Sequence, residues 1–436
     1  MCISIKILDA PMGKGKTSAM LNYINEAPDT ERFIFITPFL NEDKRVIAAC
    51  PQRNFQAPEA YDDPDHPNGD PRSKFIDFKK FLKRKDNIVS THALFSRFDP
   101  ETIQLILDGG YTLIMDEVAD VTSVYDISPK DARMMSRMYV DADENKMLIW
   151  KDQEKDYWGL YEEIKRLCDT GCLYKYNDSR LLKFMPIDAF RVFDNVFIMT
   201  YMFDAQIQRM YMDFFGLEYE YVYVTGHSPE TYRITDIPQD YSIPHLKNLI
   251  HICDDKKLNF VGEYGSHARY NLSLTWFDNP DNEEMIKTLK NNVANYFRHK
   301  CNAPAEAVLW TTFKEKHNKW DRQSLERKPY FTPKSYGSGW LACNSRATNA
   351  YRDRYILAYA ANRFMSPEIR NFFANVNIHI DVDRWALSEM IQWIWRSAIR
   401  DGKEIWIYIP SARMRHLLEN WIEEVSMPQL VEQSAS

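Results

Sequence analysis

Ala10-Pro11-Met12-Gly13-Lys14-Gly15-Lys16-Thr17 is a small residue, four of any kind, then Gly-Lys-Thr. An apolar run, Ile3 to Leu8, precedes it, and Thr17 to Ile24 comes after it with the spacing of the first turns of a helix. Strand, glycine loop and helix in that order predict a phosphate-binding loop. Gly13 and Gly15 allow the backbone dihedrals that turn successive N–H groups onto an anion, and the helix start directs the positive end of its dipole at the same point. Lys16 supplies a cation for β- and γ-phosphates, and the Thr17 hydroxyl is of the type that ligates Mg²⁺. The nucleotide-binding set is therefore Gly13, Lys14, Gly15, Lys16, Thr17 and Ser18.

Beyond this loop, apolar runs at Phe33–Thr37, Ile88–Ser90 and Tyr111–Met115 alternate with helical stretches, and each ends in a polar tip: Pro38, Thr91-His92 and Asp116. Strands separated by helices, with polar residues at their C-terminal ends, describe a parallel α/β sheet with ligands at one edge. Leu113-Ile114-Met115-Asp116-Glu117 adds the carboxylates that a phosphate loop requires. Asp116 is expected to hold Mg²⁺, and Glu117 to orient and deprotonate an attacking water. Loop and acidic pair together imply ATP hydrolysis, with ATP and Mg²⁺ as cofactors.

The 436 residues exceed the ~100 to 200 of one domain, so two domains, or three small ones, are expected, and the pattern along the chain places two, at 1–240 and 257–436. A content of 45% hydrophobic, 14% aromatic and 27% charged residues excludes disorder as the main theme. With 55 Lys+Arg against 62 Asp+Glu, the net charge of -7 excludes a uniformly basic coat, so any nucleic-acid contact is local. There is no secretory leader pattern and no run of ~18 apolar residues, which points to a cytoplasmic protein without a membrane partner. Cys168 and Cys172, a close pair among seven cysteines, lack a second pair at zinc-like spacing and read as reduced thiols. Residues 51–73 read as a long exposed loop, 120–190 as a helical insertion in the first domain, and 226–256 as a linker. A second block repeats the grammar: helix from about Asn282 to His299, strands at Ala307–Thr311 and Tyr355–Tyr359, helix from about Trp385 to Arg400, strand Glu404–Ile409, helix Ser411–Glu424.

Asp116-Glu117-Val118-Ala119-Asp120 resembles the DExD box of superfamily 2 DEAD/DEAH-like helicases, in their phage-encoded style. Thr37-Pro38 resembles motif Ia, Ser90-Thr91-His92-Ala93-Leu94-Phe95 the strand-touching segment before the box, and Met199-Thr200-Tyr201 the coupling motif, of which only the Thr matches. Leu309-Trp310-Thr311-Thr312 is similar to motif IV, and Arg346-Ala347-Thr348-Asn349 is placed like motif V. Gln392-Trp393-Ile394-Trp395-Arg396-Ser397-Ala398-Ile399-Arg400 resembles motif VI, with Trp395 where the family has Gly and Arg400 one residue late. Gln392, Arg396 and Arg400 recur every four residues, which on a helix places them on one face. The resemblance implies two tandem RecA-like parallel-sheet domains, an arginine finger at Arg396, and a catalytic set of Lys16, Asp116, Glu117, Gln392, Arg396 and Arg400. It also implies that Thr37, Thr91, Thr311 and Thr348 line a nucleic-acid track.

By this resemblance the chain is expected to be an ATP-dependent helicase or translocase in phage DNA replication, recombination or repair. It would act in the host cytoplasm on single-stranded or branched DNA rather than RNA, as a monomer or weak oligomer, alongside other replication proteins. Two alternatives stay open. A DNA-packaging motor would add an acidic nuclease cluster, for which Asp381 and Asp383 are the tight pair in the second half. A nucleotide-gated regulatory module would bind ATP without turnover.

Overall fold

The computed structural model describes residues 3–38, 40–60, 71–151, 156–315, 328–345 and 350–428. They form two compact units, Met1–Pro238 with Ser366–Ile380, and Gln239–Met365 with Asp381–Ser436. Both are α/β, each built on a parallel sheet. Among the described residues no helix is long and apolar enough to cross a membrane, and the cysteines are free thiols.

The strands of the first unit are β1 (Ser4–Asp9), β2 (Arg32–Thr37), β3 (Ile88–Thr91), β4 (Tyr111–Asp116), β5 (Thr122–Tyr125), β6 (Val140–Ala142), β7 (Leu148–Trp150), β8 (Leu173–Asn177), β9 (Arg180–Phe184), β10 (Asn195–Thr200), β11 (Glu220–Thr225) and β12 (Arg233–Thr235). Its main sheet runs β12-β11-β1-β10-β4-β2-β3, parallel except for β12. Strands covered on both faces need apolar side chains at every position. Phe33, Ile34, Phe35 and Ile36 of β2 are all fully buried, as are Leu113, Ile114 and Met115 of β4. Each such side chain contributes about 1.5–3 kcal/mol through the apolar surface it removes from water. The helix Lys16–Glu26 packs Ala19, Met20 and Ile24 on this sheet. The register sets Asp9 opposite Thr200 and Met199 opposite Asp116, so the polar ends of three neighbouring strands form a row.

Between β4 and β10 the chain builds a small body of its own. β5, β9 and β8 form an antiparallel sheet, β6 and β7 a hairpin, and the helices Pro129–Met138 and Glu162–Asp169 close over them. Ala132, Met135, Leu148, Leu167 and Leu173 are its centre, and Trp150 stacks on Tyr139 at 5.5 Å. The expectation of a helical insertion over 120–190 is therefore corrected: the insertion mixes strands and helices. Its strands are only 3–5 residues long, too short for their alternation to stand out from charged text.

The second unit has β13 (Ile250–Ile252), β14 (Val308–Thr311), β15 (Ile356–Tyr359) and β16 (Ile405–Tyr408) in the order β13-β16-β15-β14, all parallel. Trp310, Trp393 and Trp421 are fully buried. The indole N–H groups of Trp310 and Trp393 donate to the carbonyls of Tyr336 (2.6 Å) and Leu341 (3.2 Å), which lets polar rings sit in a core.

Three further expectations change. The span 226–256 is not a bare linker, because β12 pairs with β11 and β13 opens the second sheet. Part of the stretch read as an exposed loop is packed: Phe55 is buried, and Arg53 donates to the carbonyls of Ile24 (2.8 Å), Pro28 (3.0 Å) and Ala27. Residues 61–70 lie outside the described residues. The helix placed at Trp385–Arg400 is Val382–Ile394, followed by a separate 3₁₀ turn at Ala398–Asp401. The Ser397 hydroxyl donates to the Ile394 carbonyl at 2.6 Å and its backbone is extended, which ends the helix. Gln392, Arg396 and Arg400 therefore do not share one helical face.

Candidate nucleotide site

The loop between β1 and its helix is shaped by Gly13 (φ 84°) and Gly15 (φ 83°), left-handed conformations at no steric cost to glycine. The Lys16 ammonium is held over the loop by the carbonyls of Ala10 and, at 3.2 Å, Pro11. Thr17 and Ser18 come next in the first helical turn, half-buried. The glycine loop, the Lys16 ammonium and the start of the helix thus lie together at the end of β1, and a helix start of this kind favours an anion.

Acids surround that ammonium. Burial lowers the Lys16 pKa, opposed by the charges of Glu117, Asp9 and Asp116. Burial and then the neighbouring Glu117 push Asp116 up to about 7, with Lys16 pulling the other way. Asp9 is likewise raised by burial, although its carboxylate accepts from the backbone N–H groups of Met202 (2.8 Å) and Phe203 (2.9 Å). Three carboxyl groups about a single ammonium leave a deficit of positive charge, and their hard oxygen donors suit a hard cation. That chemistry fits Mg²⁺, which binds through one or two carboxylates plus substrate phosphates rather than in an all-protein cage. No group of three or more His, Cys, Asp or Glu able to hold a metal by itself occurs among the described residues.

Glu117 stands out for its backbone, with φ 68° in a residue that carries a side chain. The left-handed region costs a non-glycine residue on the order of 1 kcal/mol or more, and such strain gathers at functional positions. Its N–H donates to Met199 O at 2.9 Å, which continues the pairing to β10 while the chain turns. Oε2 of Glu117 and Oγ1 of Thr200 are buried without hydrogen-bond partners in the structure. The acidic tip is braced from two sides: His92 Nε2 lies 2.8 Å from the Asp116 carbonyl, and Gln208 Oε1 accepts from Ala119 N–H at 2.7 Å. Asp9 and Gln208 escaped the sequence reading. The signal for Asp9 was present, as the last residue of the strand entering the loop; nothing in the sequence marked Gln208.

The remaining expected residues belong to both units. Thr37 is fully buried, its hydroxyl donating to Asp43 at 3.0 Å and Ser90 O at 3.4 Å. Thr311 is fully buried too. Neither hydroxyl is exposed to solvent in this structure. Thr91 is half-buried at the start of the helix His92–Phe95, and Thr348 lies outside the described residues. In the second unit Gln392 and Arg396 are half-buried and Arg400 is exposed. Trp395 fills its place because its ring packs edge-on against Trp421 at 5.6 Å. Two arginines unmarked by the sequence gather at the ends of β15 and β16: Arg363 pairs with Glu389 (2.8 Å), and Arg413 with Asp383 (2.6 Å). Asp381 caps the helix Val382–Ile394. Both acids considered for a nuclease cluster are thus engaged in holding that helix.

Similarity to known proteins bears on both units. Residues 244–422 match the family model for the YonV C-terminal Rossmann-like domain, and residues 122–183 that for the YonV middle domain. The second match coincides with the inserted body between β4 and β10. The SPbeta prophage-derived protein YonV of Bacillus subtilis (strain 168) is 38% identical over 427 residues, 96% of this chain and 98% of its own. Among solved structures, the DUF1998 helicase MrfA bound to DNA and AMPPNP aligns over 97% of this chain at 12% identity and a TM-score of 0.35. The chain spans about half the length of that helicase, 48%.

Proposed function

The chain belongs to the YonV family, and for this member we propose an ATP-dependent nucleic-acid helicase or translocase of the superfamily 2 DEAD/DEAH-like type. The observation that carries the reading is the convergence of the glycine loop, Lys16, Asp9, Asp116 and the strained Glu117 at the ends of β1, β10 and β4. In it, the loop amides and Lys16 bind the β- and γ-phosphates, and Ser18 and Thr17 sit at the helix start beside them. The Thr17 hydroxyl and the Asp116 carboxylate would hold Mg²⁺, which neutralises charge on the transferred phosphoryl group. Glu117 accepts the proton of the attacking water. Its unpaired Oε2 and the Thr200 hydroxyl are the groups left open for that water and for the γ-phosphate.

Arg396, with Gln392 and Arg400, would stabilise the transition state from the second unit, and hydrolysis would drive stepping along a single strand of DNA, with Thr91 on its path. A role in phage DNA replication, recombination or repair in the host cytoplasm is in keeping with the prophage origin of the relative. The test is Lys16→Ala. Circular dichroism should be unchanged, because Lys16 contributes no core packing, while ATP hydrolysis falls to background. Wild-type turnover in the folded variant would remove the nucleotide site and the function with it.

A further inference from the structure

The glycine loop is covered at Gly15 by an aromatic ring. An added Cβ on Gly15 would lie 2.7 Å from three ring carbons of Tyr232, so the aromatic face rests directly on the loop where no side chain is possible. Tyr232 is half-buried, with its inner side on the core formed by the helix Lys16–Glu26 and the sheet.

The hairpin that carries it is held in place. Asn22 of the loop's own helix donates to the carbonyls of Pro229 (2.8 Å) and Tyr232 (3.0 Å), and Arg233 pairs with Glu26 at 2.5 Å. Just before Tyr232, the Thr231 hydroxyl accepts from the N–H groups of His227 (3.2 Å) and Ser228 (3.0 Å), and Tyr232 N–H donates to Ser228 O at 3.0 Å. The ring is pre-positioned rather than carried on a free loop.

Sheet order separates the strands that lead to the acids from the strand that follows Tyr232. β10 and β4, which carry Thr200, Asp116 and Glu117, lie on one side of β1; β11 and β12 lie on the other. The γ-phosphate must point to Glu117 for its water to be activated, so the nucleoside leaves the loop on the β11–β12 side. We propose that Tyr232 is the platform against which the nucleoside of the bound nucleotide packs, and that it sets affinity for the base. The inference rests on the nucleotide-hydrolysing reading above. A flat aromatic face accepts any base, because every base has a π-face, so Tyr232 gives binding strength with little choice between purines and more between purines and pyrimidines.

The test compares Mg·ATP and Mg·tripolyphosphate, which has the phosphates without the nucleoside, by titration calorimetry on the full-length protein. Tyr232→Ala should weaken ATP about ten- to a hundred-fold, the size of one base–aromatic stacking contact, and leave tripolyphosphate unchanged. Tyr232→Trp should restore ATP affinity. Tyr232→Leu keeps apolar volume against the core should the alanine variant fold poorly, and is expected to weaken ATP in the same way. Unchanged or tighter ATP binding in Tyr232→Ala, or an equal loss for tripolyphosphate, would overturn the platform. Lys16→Ala separates the two claims: if it leaves tripolyphosphate affinity intact, the phosphate site itself fails, whatever Tyr232 does.

Discussion

Asp116→Asn should stabilise the protein while disabling it. In the absence of ligand, burial and the adjacent Glu117 move the Asp116 pKa from its ordinary value of 3.8 to about 7. A carboxyl whose folded pKa is raised favours the folded state in its protonated form. Its contribution is complete below about pH 4 and is lost as pH rises through about 7. At pH 8 the residue is ionised against the preference of its surroundings, at a cost on the order of 4 kcal/mol, since three pKa units at ~1.4 kcal/mol each are involved. Relaxation and water entry reduce this, so about 2 kcal/mol is a conservative expectation. Asparagine keeps the shape without the charge. Thermal unfolding of the nucleotide-free protein at pH 8 should therefore rise by about 4 °C or more in the variant, given ~2–4 °C per kcal/mol for a unit of this size. The gap should narrow steadily as pH falls from 7 towards 4, and ATP turnover should be lost throughout. A variant equal to or less stable than the wild type at pH 8, or a gap independent of pH, would refute the picture of Asp116 as a half-buried acid awaiting a cation.

The same geometry sets three other outcomes. Glu117→Gln keeps the backbone turn and ATP binding but should lose about 10² to 10⁴ in turnover, the contribution of a general base, and hold nucleic acid in a trapped complex; equilibrium ATP binding with steady-state rates checks this. Arg396→Ala should lose ~10³ or more in stimulated hydrolysis with a much smaller loss of ATP affinity, measured as kcat against KM. Phe373→Ala should destabilise the first unit by about 3–5 kcal/mol through the cavity it leaves. Phe373 is fully buried and lies 5.8 Å from Phe184 and 6.0 Å from Phe214, ring centre to ring centre, so limited proteolysis of the variant should cut first within the first unit.

That last residue marks the boundary of what the sequence reveals. The parallel strands were legible because a strand buried on both faces is an unbroken apolar run, as in Phe33–Ile36 and Leu113–Met115. The turn between β1 and its helix was legible because Gly13 and Gly15 take left-handed conformations that favour glycine. The acidic pair needed only its position at a strand's tip. What escaped depends on distant contacts. Ser366–Ile380 sits in the second half of the sequence yet clusters with the first unit, because Phe372 and Phe373 pack among Tyr174, Phe184 and Phe214. Tyr232 meets Gly15 across more than two hundred residues. The short strands of the inserted body and the break at Ser397 are set by neighbours rather than by periodicity. The threonines at strand ends obey the same rule: Thr37 satisfies Asp43 inside the fold, and a hydroxyl in that role is indistinguishable in sequence from one on a binding surface.

The most direct measurement is the steady-state rate of phosphate release from Mg·ATP by the full-length protein, alone and with single-stranded DNA, duplex DNA and RNA. Single-stranded DNA should stimulate hydrolysis above the other polymers, and Lys16→Ala should abolish it in every condition. Release that no polymer changes, or that persists in the Lys16→Ala variant, would contradict a nucleic-acid-driven ATPase at this loop.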